Sequence, residues 1–209
     1  MQKTIGFDSC PADTFLLAAF GARYPGKSGL PMRVIDLGCG PGRLLYEFSL
    51  LHPQVELYGL EKNRDAIELA ASALVENGLR VQVEERLTSG LYVHLIHGDV
   101  RGTQAIFPAG FFDGVFLNPP YFGQGEGRLP EDPLRASFRH EQGASVKDFL
   151  LASAYLIRSS GVVHAVYPSA RKDRFLKAME ESGLALSLLQ DVYPGPAFFE
   201  PRWSLFQMV

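Results

Sequence analysis

Between Val34 and Arg43 the chain reads V-I-D-L-G-C-G-P-G-R, and few folds admit that run. The apolar pair Val34-Ile35 leads into Asp36. Gly38, Gly40 and Gly42 follow on alternate positions, and an apolar periodicity resumes at Leu44-Leu45. That is the order of a strand, a tight turn and the first turn of a helix. Glycine lets the backbone take positive φ and lets a ligand come close to the main chain. The helix start behind the turn presents unpaired N–H groups to a negative group. The dinucleotide fingerprint needs a glycine where Arg43 stands, and the P-loop needs Lys-Ser/Thr after Gly42, so both fail. Asp36, at the strand end, repels a pyrophosphate and attracts an ammonium group. The turn therefore suits a zwitterionic amino-acid moiety, with an ordinary strand–helix turn as the alternative.

The rest of the chain bounds this reading. Its 209 residues, 46% hydrophobic, suit one domain around a large core, with residues 1–32 as an N-terminal helix and loop and 33–209 as the core. A net charge of −3 advertises no general affinity for nucleic acid, so any RNA contact is local. Cys10 and Cys39 make no disulfide framework, and no Cys/His cluster has zinc-site spacing. No signal sequence opens the chain and no apolar run reaches membrane-spanning length, so a cytoplasmic protein without a membrane partner is expected.

The periodicities alternate between strand and helix. Asp13–Phe20 reads as a helix ended by Gly21, and Tyr24–Pro31 as a loop. Leu44–Leu51 is the first main helix and Val55–Leu60 a strand. Asn63 caps a helix from Arg64 to about Glu76, stopped by Asn77-Gly78. Arg80–Ser89 fits neither period, and reads as an inserted strand or a continuation of the helix. Tyr92–Ile96 and Phe111–Leu117 are strands, and Phe122–Gly143 a long loop. Ser145-x-x-Asp148 resembles a capping box and opens a helix to Ser160, broken by Gly161. Val162–Tyr167 is a strand, Ser169 a cap for a helix over Ala170–Glu181, and Leu184–Tyr193 with Trp203–Val209 a closing hairpin. The expected fold is α/β: a Rossmann-like, doubly wound, mostly parallel sheet with a C-terminal antiparallel hairpin.

In such sheets ligands bind across the carboxyl ends of the strands, and each expected strand end carries a polar signal. The first gives Asp36 and the glycine turn. The second gives Glu61, about twenty residues past Gly42, where a carboxylate can meet both hydroxyls of a ribose. The third gives Asp99, able to accept from an adenine amino group. The fourth gives Asn118-Pro119-Pro120-Tyr121. Glu61 as a solvated strand end and Asp99 as a cap for Val100-Arg101 are the structural alternatives.

These residues resemble the class I S-adenosylmethionine-dependent methyltransferases. Asp36 to Gly42 matches their first motif, Glu61 their ribose acid and Asp99 their adenine contact. The tetrapeptide Asn118–Tyr121 resembles that of the amino-methylating branch. Within it the chain is similar to the bacterial tRNA(Val) adenine-N6 methyltransferases, on Gly6-Phe7 leading to Asp13 and Leu16-Leu17, Arg139-His140-Glu141, and its lean length. The resemblance implies S-adenosyl-L-methionine as cofactor, held by Asp36, Gly38, Cys39, Gly40, Gly42, Glu61, Lys62, Asp99, Val100 and Asn118, with no metal. It implies RNA, in particular tRNA, as the partner, and no obligate protein partner. Two departures stand: one extra residue between Gly6 and Asp13, which weighs against Asp13 as a cofactor contact, and the insertion at Arg80–Ser89.

The tetrapeptide has its own logic. An exocyclic amine conjugated to a ring is a poor nucleophile. The Asn118 side-chain oxygen and the Pro119 carbonyl are two acceptors for its hydrogens, Pro119 and Pro120 stiffen the backbone, and Tyr121 offers a face to a flipped base. A glutamine amide presents the same donor pair, so the motif alone leaves protein glutamine open, as it leaves a small-molecule acceptor. A cofactor-binding RNA chaperone is the non-enzymatic alternative. Arg139 and the run Arg171, Lys172 and Arg174 are the expected phosphate contacts, with a plain solvated helix face as the alternative for the run. Trp203 is expected in the core.

Overall fold

The computed structural model describes residues 11–23, 32–84, 93–121 and 143–209. Gly6-Phe7, Cys10, the loop Tyr24–Pro31, most of the Arg80–Ser89 insertion, and the loop residues 122–142 with Arg139-His140-Glu141 lie outside them. In chain order the elements are α1 (Ala12–Ala22), β1 (Arg33–Leu37), α2 (Arg43–Leu51), β2 (Glu56–Glu61), α3 (Arg64–Glu76), β3 (Val81–Glu84) and β4 (Val93–His97). A short 3-10 turn (Val100–Gly102) then leads into α4 (Thr103–Ile106), followed by β5 (Phe112–Leu117), α5 (Val146–Leu156) and β6 (Ile157–Pro168). The chain closes with α6 (Lys172–Glu181), β7 (Leu186–Val192) and β8 (Trp203–Met208).

The eight strands form one sheet in the order β3-β4-β2-β1-β5-β6-β8-β7, parallel except for β8, which runs antiparallel between β6 and β7. Alternate strand residues feed two cores, because successive side chains leave opposite faces of a strand. Ile35, Leu37, Tyr58, Leu60, Val115 and Leu117 pack with Phe149 of α5 and Phe175 of α6. Val34, Leu57, Phe116 and Val166 pack with Leu17 of α1, Leu45 of α2 and Ile67 of α3. Helices therefore cover both faces, as the apolar patterning requires. Among the described residues no helix is long and apolar enough to cross a membrane.

Local signals set most boundaries. Asn63 Oδ1 accepts from the Asp65 and Ala66 amides at 2.8 and 3.2 Å and starts α3, and Gly78 at φ +84° ends it. The capping box before α5 is formed: Ser145 N donates to Asp148 Oδ2 at 2.7 Å, and Asp148 N donates to Ser145 Oγ at 3.3 Å.

Four expectations are corrected. α1 runs through Gly21 to Ala22, because Gly21 is a contact and not a stop: a Cβ there would lie 2.2 Å from the Phe116 ring. α5 ends at Leu156, and Ile157, already extended, pairs with Phe112 of β5. Gly161 lies inside β6, where a Cβ would meet the Asp113 carbonyl oxygen at 2.7 Å. Ser169 opens a 3-10 turn without capping it, because its hydroxyl is shared with Ser204 Oγ at 2.9 Å. The part of the insertion that is described is a true strand, β3, added in parallel at the sheet edge beside β4.

Candidate active site

The chain steps from β1 to β2 and β4 on one side and to β5 and β6 on the other, so the connection reverses between β1 and β5. That is the place where open α/β sheets hold ligands. The register brings the polar strand ends into one row. Leu37 pairs with Leu60 on one side and Leu117 on the other, which sets Gly38 beside Glu61 and Asn118. Glu61 pairs with His97, two residues before Asp99. Strands lie about 4.8 Å apart, so the expected groups are neighbours along one edge.

The glycine turn forms as the spacing requires. Gly38, Gly40 and Gly42 have φ of 76°, 50° and 78°. Gly38 N donates to the Leu60 carbonyl at 2.8 Å, and Gly40 N donates to Glu61 Oε2 at 2.9 Å. A Cβ on Gly40 would meet no atom within 4 Å, so the backbone there faces open space. Cys39 points the other way, buried against Gly59, with its thiol pushed up by burial and by the charges of Asp36 and Glu61. It is a packed thiol and not a nucleophile.

Two carboxyl groups sit beneath the turn. Glu61 is 3% exposed, and its Oε1 accepts from Asn63 N at 2.8 Å. The carboxylate thus ties the glycine turn to the start of α3 and keeps further lone pairs for a ligand. Asp36 is 4% exposed, and burial, reinforced by Glu61, pushes its pKa up to about 8 from 3.8. The sign of the linkage follows. The unfolded chain releases this proton near pH 4 and the folded chain near 8. Stability from Asp36 is therefore complete below about pH 4, falls as pH rises, and is lost above about 8. Asp36→Asn should flatten that slope: urea midpoints compared at pH 5 and pH 8 should separate more in the wild type than in the variant.

A cleft opens beside the turn. Gly38, Glu61, Lys62, Asp99 and Val100 line it, with Ala144 and Phe149 of the α5 entry as apolar walls. Five sequence-selected residues thus share one surface. Phe149 was legible only as an apolar-face residue of its helix. Asp99 takes the structural alternative, capping the turn at Val100-Arg101: its oxygens accept from Arg101 N, Nε and Nη2 at 3.0, 2.9 and 2.6 Å, and Lys62 Nζ stands 3.4 Å away. Arg101 holds its carboxyl well below the usual range.

The tetrapeptide leaves β5 at the same edge. Tyr121 does not stand free as a platform. Its hydroxyl lies 2.5 Å from Asn118 Oδ1 and 2.7 Å from Asp13 Oδ2, and it can donate its one proton to only one of them at a time. Its ring meets Tyr167 edge-on with centroids 5.6 Å apart and lies 5.4 Å from Trp203. Trp203 is therefore half-buried support for Tyr121 as well as a core neighbour. Asp13, set aside by its spacing, is the residue sequence reasoning missed. Two of the three expected phosphate contacts around the start of α6 are committed within the chain: Arg171 Nη1 donates to the Tyr121 carbonyl at 2.9 Å, and Lys172 Nζ pairs with Asp191 Oδ2 at 2.9 Å. Arg174 is exposed, and Arg139 lies outside the described residues.

Comparison with known proteins shows what the chain is similar to. The family described as "Methyltransferase domain" matches residues 30–88, which contain the glycine turn, Glu61 and Lys62. The tRNA1(Val) (adenine(37)-N6)-methyltransferase of Vibrio vulnificus is 28% identical over 163 residues, 78% of this chain and 62% of that protein. The one of Aeromonas hydrophila is 32% identical over 147 residues, 69% of this chain and 55% of that protein. The chain thus spans about three-fifths of the length of the curated relatives it matches. The crystal structure of TrmN from Thermus thermophilus superposes with a TM-score of 0.61 at 19% identity, covering 97% of this chain and 54% of that one. Sheet order and superposition agree on a Rossmann-like fold, residues 30–88 match a methyltransferase domain, and the chain is similar over most of its length to the tRNA1(Val) adenine-N6 methyltransferases.

Proposed function

We propose that the chain transfers a methyl group from S-adenosylmethionine to the exocyclic nitrogen of an adenine in RNA, most specifically in tRNA. The observation that carries this is the position of Asn118–Tyr121, at the end of the strand that pairs with the one leading into the glycine turn. The similarity to tRNA adenine-N6 methyltransferases supports the acceptor.

The residues fit the cofactor. Gly40 leaves its backbone open where a side chain would stand. The buried Asp36 is a carboxyl group that gains by meeting an ammonium. Asp36, Gly38, Cys39, Gly40 and Gly42 would hold the amino-acid part, Glu61 and Lys62 the sugar, Asp99 and Val100 the base, and Asn118 the boundary with the acceptor. When bound, S-adenosylmethionine supplies a methyl group made electrophilic by a positive sulfur.

The chain's own task is to aim a weak nucleophile. Asn118 Oδ1 and the Pro119 carbonyl accept the two amine hydrogens and turn the nitrogen lone pair toward the cleft. The Tyr121 hydroxyl has Asp13 Oδ2 as well as Asn118 Oδ1 in reach, so turning its one proton to Asp13 leaves Asn118 for the amine. Tyr121, backed by Tyr167 and Trp203 and held at its carbonyl by Arg171, stacks the base without being reordered. Incubation with methyl-labelled cofactor, total RNA and total protein tests the reading. Label is expected in the RNA fraction, and label confined to protein would favour glutamine as the acceptor.

A further inference from the structure

β7 runs parallel to β6, so the turn at 193–202 leaves the sheet at the same edge as the tetrapeptide. Its sequence is Y-P-G-P-A-F-F-E-P-R. Tyr193, Phe198 and Phe199 are 51%, 59% and 95% exposed. Among the described residues no other surface gathers three exposed aromatic side chains; Phe15 of α1 stands alone. The turn is also closed and stiff. Arg202 N donates to the Val192 carbonyl at 2.8 Å, Phe198 N to the Gly195 carbonyl at 3.1 Å, and Pro194, Pro196 and Pro201 fix three backbone torsions.

The turn is continuous with the site. Trp203, the residue that ends it, pairs with Pro168 and Val192 and lies 5.4 Å from the Tyr121 ring. The Arg202 guanidinium sits 5.7 Å over that same indole, and Ser169 N donates to the Arg202 carbonyl at 3.2 Å, joining the turn to the segment that carries Arg171.

We infer that Phe198 and Phe199 are stacking platforms for unpaired bases next to the target adenine of a single-stranded RNA loop. This rests on the acceptor proposed above. Rings, and not branched aliphatic side chains, are what the turn exposes. Flat rings suit bases, whereas a groove for an apolar peptide uses aliphatic pockets as well. Rigidity matters because a platform already in place loses little entropy when a base lands on it. Arg202 supplies a cation for the adjoining phosphate, and Glu200 offsets it, so the surface recognises unstacked bases more than charge.

The test uses the full chain with unfractionated tRNA. Phe198→Ala with Phe199→Ala should weaken tRNA binding by about ten-fold or more, the scale of losing stacked bases. It should raise KM for tRNA while leaving kcat and S-adenosylmethionine affinity within a few-fold. Phe199→Trp should keep binding, and its added indole emission should be quenched by tRNA, with Trp203 of the parent as the reference. A double variant that binds and methylates tRNA like the wild type overturns this inference and leaves the acceptor intact. A wild type that binds no RNA overturns both. Unchanged tRNA binding with lost labelling of a protein fraction would make the turn a protein-docking surface and overturn the inference as well.

Discussion

Asn118→Ala is expected to lower turnover by about 10²–10³ while S-adenosylmethionine affinity stays within a few-fold, as for loss of a polar contact positioned for a transition state. Asn118 follows directly on Leu117, which pairs with Leu37, so it stands beside the start of the glycine turn. On the proposed reading, removing it takes away one of the two acceptors that aim the amine. The fold should tolerate the change, because the Tyr121 hydroxyl keeps Asp13 Oδ2 at 2.7 Å as a second acceptor. Stopped-flow or single-turnover rates, set beside calorimetric cofactor affinity, separate the two effects. Equal losses in affinity and turnover would make Asn118 a plain cofactor contact.

Gly40→Val is expected to take S-adenosylmethionine binding below calorimetric detection. At φ +50° a β-branched residue is strained, by roughly 1–2 kcal/mol on the handedness scale. A Cβ there would meet no atom within 4 Å beyond its chain neighbours, so the side chain starts into open space and not into the core. The variant should therefore fold, with a modestly lowered urea midpoint, and fail to bind. Glu61→Ala should weaken binding by about 1.5–3 kcal/mol, the range for hydrogen bonds to a charged group. It should also lower the midpoint, since the Gly40 and Asn63 amides lose their shared acceptor. Unchanged affinity in both variants would remove the cofactor from this pocket.

What was legible in the sequence was local. The Asn63 cap and the Ser145–Asp148 box complete their hydrogen bonds within a few residues, and the glycine turn is marked by the positive φ its own three glycines take, so spacing alone identifies them. Strand ends carrying Glu61, Asp99 and Asn118 were legible because parallel strands align their carboxyl ends. What failed depended on distant partners. Gly21 reads as a helix stop, but the Phe116 ring requires it as a contact. Arg171 and Lys172 read as phosphate contacts or a solvated basic face, yet they reach a carbonyl 50 residues away and a carboxylate 19 residues away. Asp13 and Tyr121 are 108 residues apart, and no periodicity links them. Tyr121 was legible as an aromatic face, but not its anchoring by hydroxyl, ring edges and carbonyl, which comes from α1, β6, the 3-10 turn before α6 and β8 together.

Digesting tRNA to nucleosides after treatment with the chain and S-adenosylmethionine, and weighing the products, tests the central claim most directly. The account predicts N6-methyladenosine, formed by the wild type and reduced about 10²-fold or more in rate by Asn118→Ala. Methyl groups found only on glutamine of a protein fraction, or on no macromolecule, would contradict it.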